Sequence, residues 1–532
     1  MELPSNTLLS ICSMLVLVLS MGCEQPEREP KPPNVIVIMA DDMGYSDVGS
    51  YGGEIETPYI DLLAQKGLRF TQFYNAGRCC PTRASLLTGL YPHQAGMGSM
   101  VSSVDSAPEE GPYQGYLNNE SVTMAEVLRS VNYRTYMSGK WHVGEKQEHW
   151  PLKRGFDRYF GLISGASSYY EVIKDQPRVR QIALDDEVWD PPETGFYMTD
   201  AITNYATRFI REHASEYRRR TPFFLYVAYT APHWPLHALP NDIAKYEGVY
   251  DIGWDSLRIQ RFNKMKQLGI IDASADLPER PESIPAWDEV EDKKIWTRRM
   301  EVYAAMVDRM DQGIGRIIQT LDESRSLRNT VIFFLSDNGG SPEDVTGRNL
   351  HDSTRTVGTR GSYDAYREPW ANASNTPFKY YKAWMHEGGI STPFIVYWGR
   401  GISAPGRIVH DEGHVVDIMS TIVQLSESAY PSKVNGVSIA PMQGKSLVPL
   451  FEGKNRAGHD AIYWEHNGRR AMRKDYWKIV APRNSEEWEL YNLQTDRNEL
   501  NNLADAYPDL LAQMRHEWDI WADSVGVFQK PE

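Results

Sequence analysis

The chain has 532 residues, 41% apolar and 24% charged, a balance that supports a large buried core and excludes a disordered or collagen-like polymer. Its 56 Lys and Arg face 71 Asp and Glu, a net charge of −15, so the surface at large repels phosphate backbones and anionic lipids, and no nucleic-acid partner is expected. Binding an anion would need positive charge gathered in one pocket against that overall field.

In chain order, the first feature is an apolar leader from Leu8 to Gly22, too short to span a bilayer comfortably. It ends in Ser20-Met21-Gly22-Cys23, and a polar, Pro-rich stretch follows from Glu24 to Pro33. This pattern resembles a bacterial lipoprotein signal. The resemblance implies a signal peptide over 1–22, lipidation of Cys23, a linker over 23–33, and an exported protein anchored to a membrane by lipid, in the periplasm or on the outer-membrane surface. Beyond Cys12 and Cys23 the chain has only Cys79 and Cys80. Adjacent cysteines rarely form a strain-free disulfide, so this pair invites a chemical explanation.

From Asn34 the run Val35 to Ala40 is β-branched and continuous, as in a strand buried on both faces of a parallel sheet. Similar runs are Tyr133 to Ser138, Pro222 to Tyr229, Thr330 to Leu335 and Pro393 to Trp398. Helical patterns lie between them. Thr123 and Glu126 form a capping box, Ile202, Tyr205, Ala206, Phe209 and Ile210 share one face of a helix over Thr199 to Arg211, and the longest helix covers about Lys293 to Glu323. The alternation predicts an α/β fold with a large, mixed but mostly parallel sheet sandwiched by helices. Two stretches, about Ala238 to Val290 and Gly339 to Ser374, look inserted at one edge of the sheet, where long loops shape binding sites. After about Gly453 short strands over 461–465, 470–480 and 488–493 and a helix from about Tyr507 predict a smaller C-terminal α+β domain with an antiparallel sheet. The expected division is therefore 34–453 and 454–532.

Nearly every predicted core strand ends in unusual polar residues: Asp41-Asp42, Gly139-Lys140-Trp141-His142, Ala231-Pro232-His233-Trp234-Pro235 and Ser336-Asp337-Asn338-Gly339. In an open α/β sheet ligands bind at the carboxyl ends of the strands, so these groups are expected to converge. Asp41, Asp42, Asp337 and Asn338 are hard oxygen ligands, suited to Ca²⁺ or Mg²⁺ rather than zinc. Lys140, His142, His233 and Lys382 add positive and proton-transferring groups, which suits an anionic tetrahedral substrate.

The strongest signal is Cys79-Cys80-Pro81-Thr82-Arg83-Ala84-Ser85-Leu86-Leu87-Thr88-Gly89. Pro81 fits the first turn of a helix, which predicts Cys79 just ahead of its positive end. The pattern C-x-P-x-R-x-x-x-x-T-G resembles the signature of the type I sulfatases of the alkaline phosphatase superfamily. Gly139 to His142, Ala231 to His233, Asn375 to Lys382 and Glu387-Gly388-Gly389 match other blocks of that family, and Trp370 to Ser374 looks most like its bacterial arylsulfatase branch. The resemblance implies that a sulfatase-maturating enzyme oxidises Cys79 to Cα-formylglycine, with Cys80 at the variable position. It further implies Ca²⁺ on Asp41, Asp42, residue 79, Asp337 and Asn338, and attack on sulfur by the hydrated aldehyde. Arg83 and Lys140 would stabilise the diol; Lys140, Lys382 and His233 would grip the sulfate, with His233 protonating the leaving alcohol and His142 acting as the base that expels sulfate. Export favours a sulfated carbohydrate as substrate, with Trp234, His237, His351 and His466 as candidate sugar contacts. Small aryl sulfates, or phosphodiesters and phosphonate monoesters, are the alternatives, although an oxygen-only ligand set disfavours a two-zinc phosphatase. A rival of another class is a glycan-binding lipoprotein whose Cys79 stays a thiol.

Overall fold

Alternate side chains of β1 (Asn34–Ala40) enter opposite layers of the protein: Ile36 and Ile38 one core, Val35, Val37 and Met39 the other. The computed structural model describes residues 32–101, 110–173, 180–217, 221–348 and 350–527, so the leader, Cys23 and nearly all of the linker lie outside the described residues. In chain order the further strands of the main sheet are β2 (Leu68–Tyr74), β3 (Arg134–Gly139), β4 (Arg158–Leu162), β5 (Ile182–Leu184), β6 (Glu187–Val188), β7 (Phe223–Ala228), β8 (Thr330–Ser336), β9 (Phe394–Trp398) and β10 (Arg407–His414). Their spatial order is β10-β2-β9-β8-β1-β7-β3-β4-β5-β6. β1 lies parallel to β7 and β8, and β3 to β7 and β4, while β9 and β5 run against their neighbours. The sheet is thus mixed and mostly parallel, as expected. All five strands read from apolar runs are present. β2, β10 and the β4–β6 edge are additions, and β10 carries exposed polar residues such as His410 and Asp411 that hide it from a search for apolar runs.

The long helix spans Lys293–Glu323, and its Tyr303, Met306, Val307, Met310, Ile314, Ile317 and Leu321 pack with Ile36 and Ile38 in one layer. On the other face the helices Cys79–Thr88, Met124–Arg129 and Asp417–Ser426 pack against Val35, Val37 and Met39. The capping box forms: Thr123 Oγ1 accepts from Glu126 N at 3.1 Å, and Glu126 Oε2 accepts from Thr123 N at 2.7 Å.

The C-terminal part is a four-stranded antiparallel meander (Ile462–His466, Arg469–Lys474, Trp477–Ala481, Glu489–Asn492) covered on one face by the helix Pro508–Val525. The stretch read as one strand from Arg470 to Val480 is in fact a hairpin. It breaks at Asp475, whose φ of 53° lies in the left-handed region that Asp tolerates in tight turns. The other face of the meander packs on Tyr74, Met385 and Ile390, and Trp464 Nε1 donates to Asn75 O at 2.8 Å.

Candidate active site

Short backbone bonds draw the strand ends together. Lys140 N donates to Ala228 O at 2.8 Å, Asp41 N to Ala231 O at 3.0 Å, and Asp337 N to Ala40 O at 3.2 Å. The chain then turns sharply at Asp42 (φ 66°) and at His142 (φ 55°), a left-handed geometry uncommon for residues other than glycine and concentrated at functional sites. These turns aim the side chains inward. Asn338 Nδ2 donates to Asp42 Oδ1 at 2.7 Å, and Asp42 N to Asp337 Oδ1 at 3.2 Å, so the two acidic pairs form one cluster.

Three cations meet these three carboxylates, all of them buried. Lys140 Nζ lies 2.7 Å from Asp41 Oδ2, Arg83 Nη2 2.7 Å from Asp337 Oδ2 and 3.6 Å from Asp41 Oδ1, and Lys382 Nζ 2.7 Å from Asp42 Oδ2. Arg83 also donates to Lys140 O at 3.1 Å, tying the cysteine helix to the β3 turn. The pocket as built is therefore balanced rather than positive. Burial nevertheless pushes the carboxyls of Asp41 and Asp337 up, more than Lys140 and Arg83 pull them down. For Lys382 burial works downward but is outweighed by Asp42 and Glu343, which hold its ammonium above the usual range.

The donor set accommodates a hard cation. Asp41 Oδ1, a carboxylate oxygen with only the Arg83 guanidinium at 3.6 Å, and Asn338 Oδ1, an amide oxygen, are buried without a hydrogen-bond partner among the described residues, a costly arrangement that a bound cation would relieve. A divalent ion there would turn the balanced pocket net positive, the condition an anionic substrate requires. Asp41, Asp42 and His233 also present ligand atoms within 4.8 Å of one another.

Cys79 is 2% exposed and begins its helix rather than preceding it. Arg78 is the extended cap residue, and the first helical bond runs from Thr82 N to Arg78 O at 2.9 Å. Pro81, the third helical residue, lies in the first turn as expected, where the N–H groups of a helix have no intrahelical partner to lose. A hydrogen bond from Cys80 and the nearby Lys140 and His142 hold the Cys79 thiol well below its ordinary value against the opposing effect of burial. Gly165 lies against the His142 ring, where any Cβ would collide with Nε2. His233 Nδ1 bonds Trp234 O at 2.6 Å, which places the proton on Nδ1 and turns Nε2 toward Lys382 Nζ, 3.4 Å away. Burial lowers this imidazole to about 4.

The structure thus brings Asp41, Asp42, Cys79, Arg83, Lys140, His142, His233, Asp337, Asn338 and Lys382 to one place. The four sugar-contact candidates are less alike. Trp234 lies at the rim, its Nε1 donating to Glu343 Oε2 at 2.6 Å. His466, buried at the end of the small sheet's strand Ile462–His466, has Nδ1 on Gly98 O at 3.4 Å, and burial lowers it to about 4. His351 bonds Tyr363 O at 2.8 Å in the second inserted stretch. His237 is buried with Nε2 on Ser362 O at 2.7 Å and Nδ1 near Ser168 Oγ at 3.3 Å, so both ring nitrogens tie its own segment to two others distant in sequence and neither is left for a ligand.

Two features escaped the sequence reading. Glu343 carries no motif, yet it bridges Lys382 at 3.2 Å and Arg78 at 3.1 Å. Arg261, from the helix Gly253–Leu268 in the first inserted stretch, holds Asp47 at 2.7 Å and Glu54 at 2.8 Å. Asp47 in turn accepts from Gly44 N at 2.8 Å and Tyr303 Oη at 2.7 Å, bracing the loop that carries Asp41 and Asp42.

Residues 33–428 match the protein-family model described as Sulfatase, and residues 378–520 match N-sulphoglucosamine sulphohydrolase, C-terminal. With this fold and this cluster, the chain belongs to the sulfatase family and is an enzyme that hydrolyses sulfate esters. Among its relatives are an uncharacterised sulfatase of Schizosaccharomyces pombe, 34% identical over 95% of this chain and 96% of the relative, and the arylsulfatase of Klebsiella aerogenes, 33% identical over 84% and 98%. The N-acetylgalactosamine-6-sulfatase of Canis lupus familiaris is 27% identical over 82% and 71%. A crystal structure of Ps i-CgsB in complex with k-i-k-neocarrahexaose superposes with a TM-score of 0.68 at 26% identity, covering 92% of this chain and 93% of that one.

Proposed function

We propose that this sulfatase removes sulfate from a sulfated carbohydrate, using Cα-formylglycine made from Cys79 by a maturating enzyme and Ca²⁺ held by Asp41, Asp42, residue 79, Asp337 and Asn338. The observation that carries the reading is the placement of Cys79 at a helix N-terminus, its sulfur close to a His142 ring nitrogen, beside two acidic pairs in which Asp41 Oδ1 and Asn338 Oδ1 accept no hydrogen bond among the described residues. When present, the hydrated aldehyde supplies the hydroxyl that attacks sulfur and the ion supplies Lewis-acid polarisation.

The chain's own residues do the rest. Lys140 and Lys382 bind the sulfate oxygens, Arg83 fixes Asp337 and the Lys140 backbone, and His142 takes a proton from the side chain at residue 79. His233 offers Nε2 to the leaving oxygen. The bound sulfate and Asp42 add negative charge beside an imidazole that burial keeps neutral, raising its affinity for the proton it must pass on. A carbohydrate substrate is supported by the oligosaccharide bound to Ps i-CgsB and by the sugar named in the N-acetylgalactosamine-6-sulfatases. Export as a lipoprotein anchored at Cys23 follows from the leader pattern; labelled palmitate incorporated by the wild type and lost in Cys23→Ala tests it.

The deciding experiment assays matured protein on paired aryl sulfate and aryl phosphodiester substrates and on defined sulfated mono- and oligosaccharides, with the peptide spanning residue 79 weighed to confirm the aldehyde. Sulfate release from the sugars, faster than from the aryl ester, is expected. A preference for the diester, or an inert protein whose Cys79 remains a thiol in a maturing host, would overturn the reading.

A further inference from the structure

The proposed chemistry uses one of two adjacent thiols and leaves Cys80 idle. Cys79 and Cys80 are both buried and free. Their sulfurs and a ring nitrogen of His142 lie within 4.8 Å of one another. The three groups come from two elements that are independently fixed: the cysteines from the first turn of the helix Cys79–Thr88, His142 from the turn after β3, backed by Gly165. Ligand atoms about 2.3 Å from one tetrahedral ion stand about 3.8 Å apart, so a spread of at most 4.8 Å closes by about 1 Å or less.

We infer that the protein in its Cys79 form carries a second metal site, Cys79–Cys80–His142, that takes Zn²⁺ with one coordination position open. Two sulfurs and one imidazole are soft and borderline ligands, a set that selects zinc over the Ca²⁺ suited to the neighbouring oxygens. Binding releases the two thiol protons, and the two thiolates cancel the charge of the ion. The pocket therefore gains no net charge, and the existing balance of Asp41, Asp42 and Asp337 against Lys140, Arg83 and Lys382 is undisturbed. Metal binding stands whether or not the protein is a formylglycine enzyme. Its consequence rests on that reading: a bound zinc covers the thiol that maturation must oxidise, and conversion of Cys79 removes one sulfur and dismantles the site.

The test uses the full chain from a host without maturation, in excess Ca²⁺ to fill the oxygen ligands, titrated with Co²⁺ as the spectroscopic probe for zinc. One equivalent is expected to bind with thiolate-to-cobalt charge-transfer absorption and the strong visible bands of tetrahedral Co²⁺, both erased by Zn²⁺. Cys80→Ser should halve the charge-transfer amplitude and weaken binding by more than the roughly 10–100-fold that loss of an outer-shell partner costs. Matured protein, verified by peptide mass, keeps only Cys80 and His142 of the three ligands and should lose at least as much of the charge-transfer amplitude as Cys80→Ser. Zn²⁺ should also shield both cysteines of the wild type from a small thiol reagent, a readout that does not depend on the variant folding. Absence of charge transfer in the wild type, an unchanged spectrum in Cys80→Ser, or no shielding would overturn the site. Failure of matured protein to release sulfate would instead strike the proposed function and leave the cobalt spectrum intact.

Discussion

At the strand ends burial wins: the carboxyls of Asp41 and Asp337 are pushed up in spite of the Lys140 and Arg83 charges beside them. Beneath the small sheet the reverse holds, and Lys478 and Arg497 overcome burial to pull Glu387 well below the usual carboxylate range. Lys478 Nζ sits 2.9 Å from Glu387 and 2.8 Å from Glu499, and the Glu387 carboxylate also accepts from Tyr74 Oη at 3.0 Å and Ser391 Oγ at 2.8 Å. The second cluster is closed by ion pairs in which each of its carboxylates meets a cation within 3 Å, and it joins two parts of the fold. In the first, Asp41 Oδ1 and Asn338 Oδ1 accept no hydrogen bond among the described residues and Asp41 Oδ1 has only the Arg83 guanidinium at 3.6 Å, as expected of a place built around an added ion and a substrate.

The largest effect expected from this contrast is catalytic. Cys79→Ala should lower sulfate-ester turnover by at least about 10⁴-fold, as loss of a nucleophile does, while its urea midpoint stays near that of wild type. Lys478→Met should do the opposite, costing about 3–5 kcal/mol in urea unfolding because it strands two buried carboxylates, with little change in turnover per folded molecule. If the two variants behave alike, the distinction between the clusters fails. Chelation by EGTA separates them further: an ion present at about 100 times its dissociation constant adds about 2.7 kcal/mol, so the thermal midpoint should drop on its removal, by the same amount in wild type and Lys478→Met.

A pH series gives a smaller effect with a defined sign. Glu387 is depressed in the folded state, so its contribution is present above the ordinary value of about 4.3 and fades as pH falls below it. The stability gap between wild type and Lys478→Met should therefore hold down to about pH 5 and narrow from about pH 4.5 toward pH 2. In EGTA, Asp41 and Asp337 work the other way, because raised carboxyls cost stability above their unfolded values and that cost is relieved by acid. Remote from both clusters, Thr123→Ala removes one helix cap and should cost only about 1 kcal/mol by the same urea assay.

Sequence periodicity carried much of the fold. The Lys293–Glu323 helix was readable because its apolar residues recur with helical spacing, and β1, β7, β8 and β9 because their interiors are apolar; β3 is shorter on apolar residues, with Tyr136 and Met137 between Thr135 and Ser138. β2 alternates polar and apolar residues, and β10 lies at an edge with polar side chains, so neither stands out as an apolar run. At the site, residues directly after core strands were legible from their position in the chain. Glu343, Arg261 and Tyr303 were not, because each acts through a partner brought near only by folding: Arg261 and Asp47 are 214 residues apart.

The Asp47–Arg261 bridge has a practical consequence for engineering. The stretch from Ala238 to Val290 looks like an exchangeable cassette for altering substrate choice, but its helix also clamps the loop that bears Asp41 and Asp42. A graft from another sulfatase that lacks a basic residue at 261 would bring in a foreign rim and slacken the catalytic floor at once, so recognition and turnover would change together. Swaps meant to retarget this enzyme should keep Arg261 and vary the turns on either side of it.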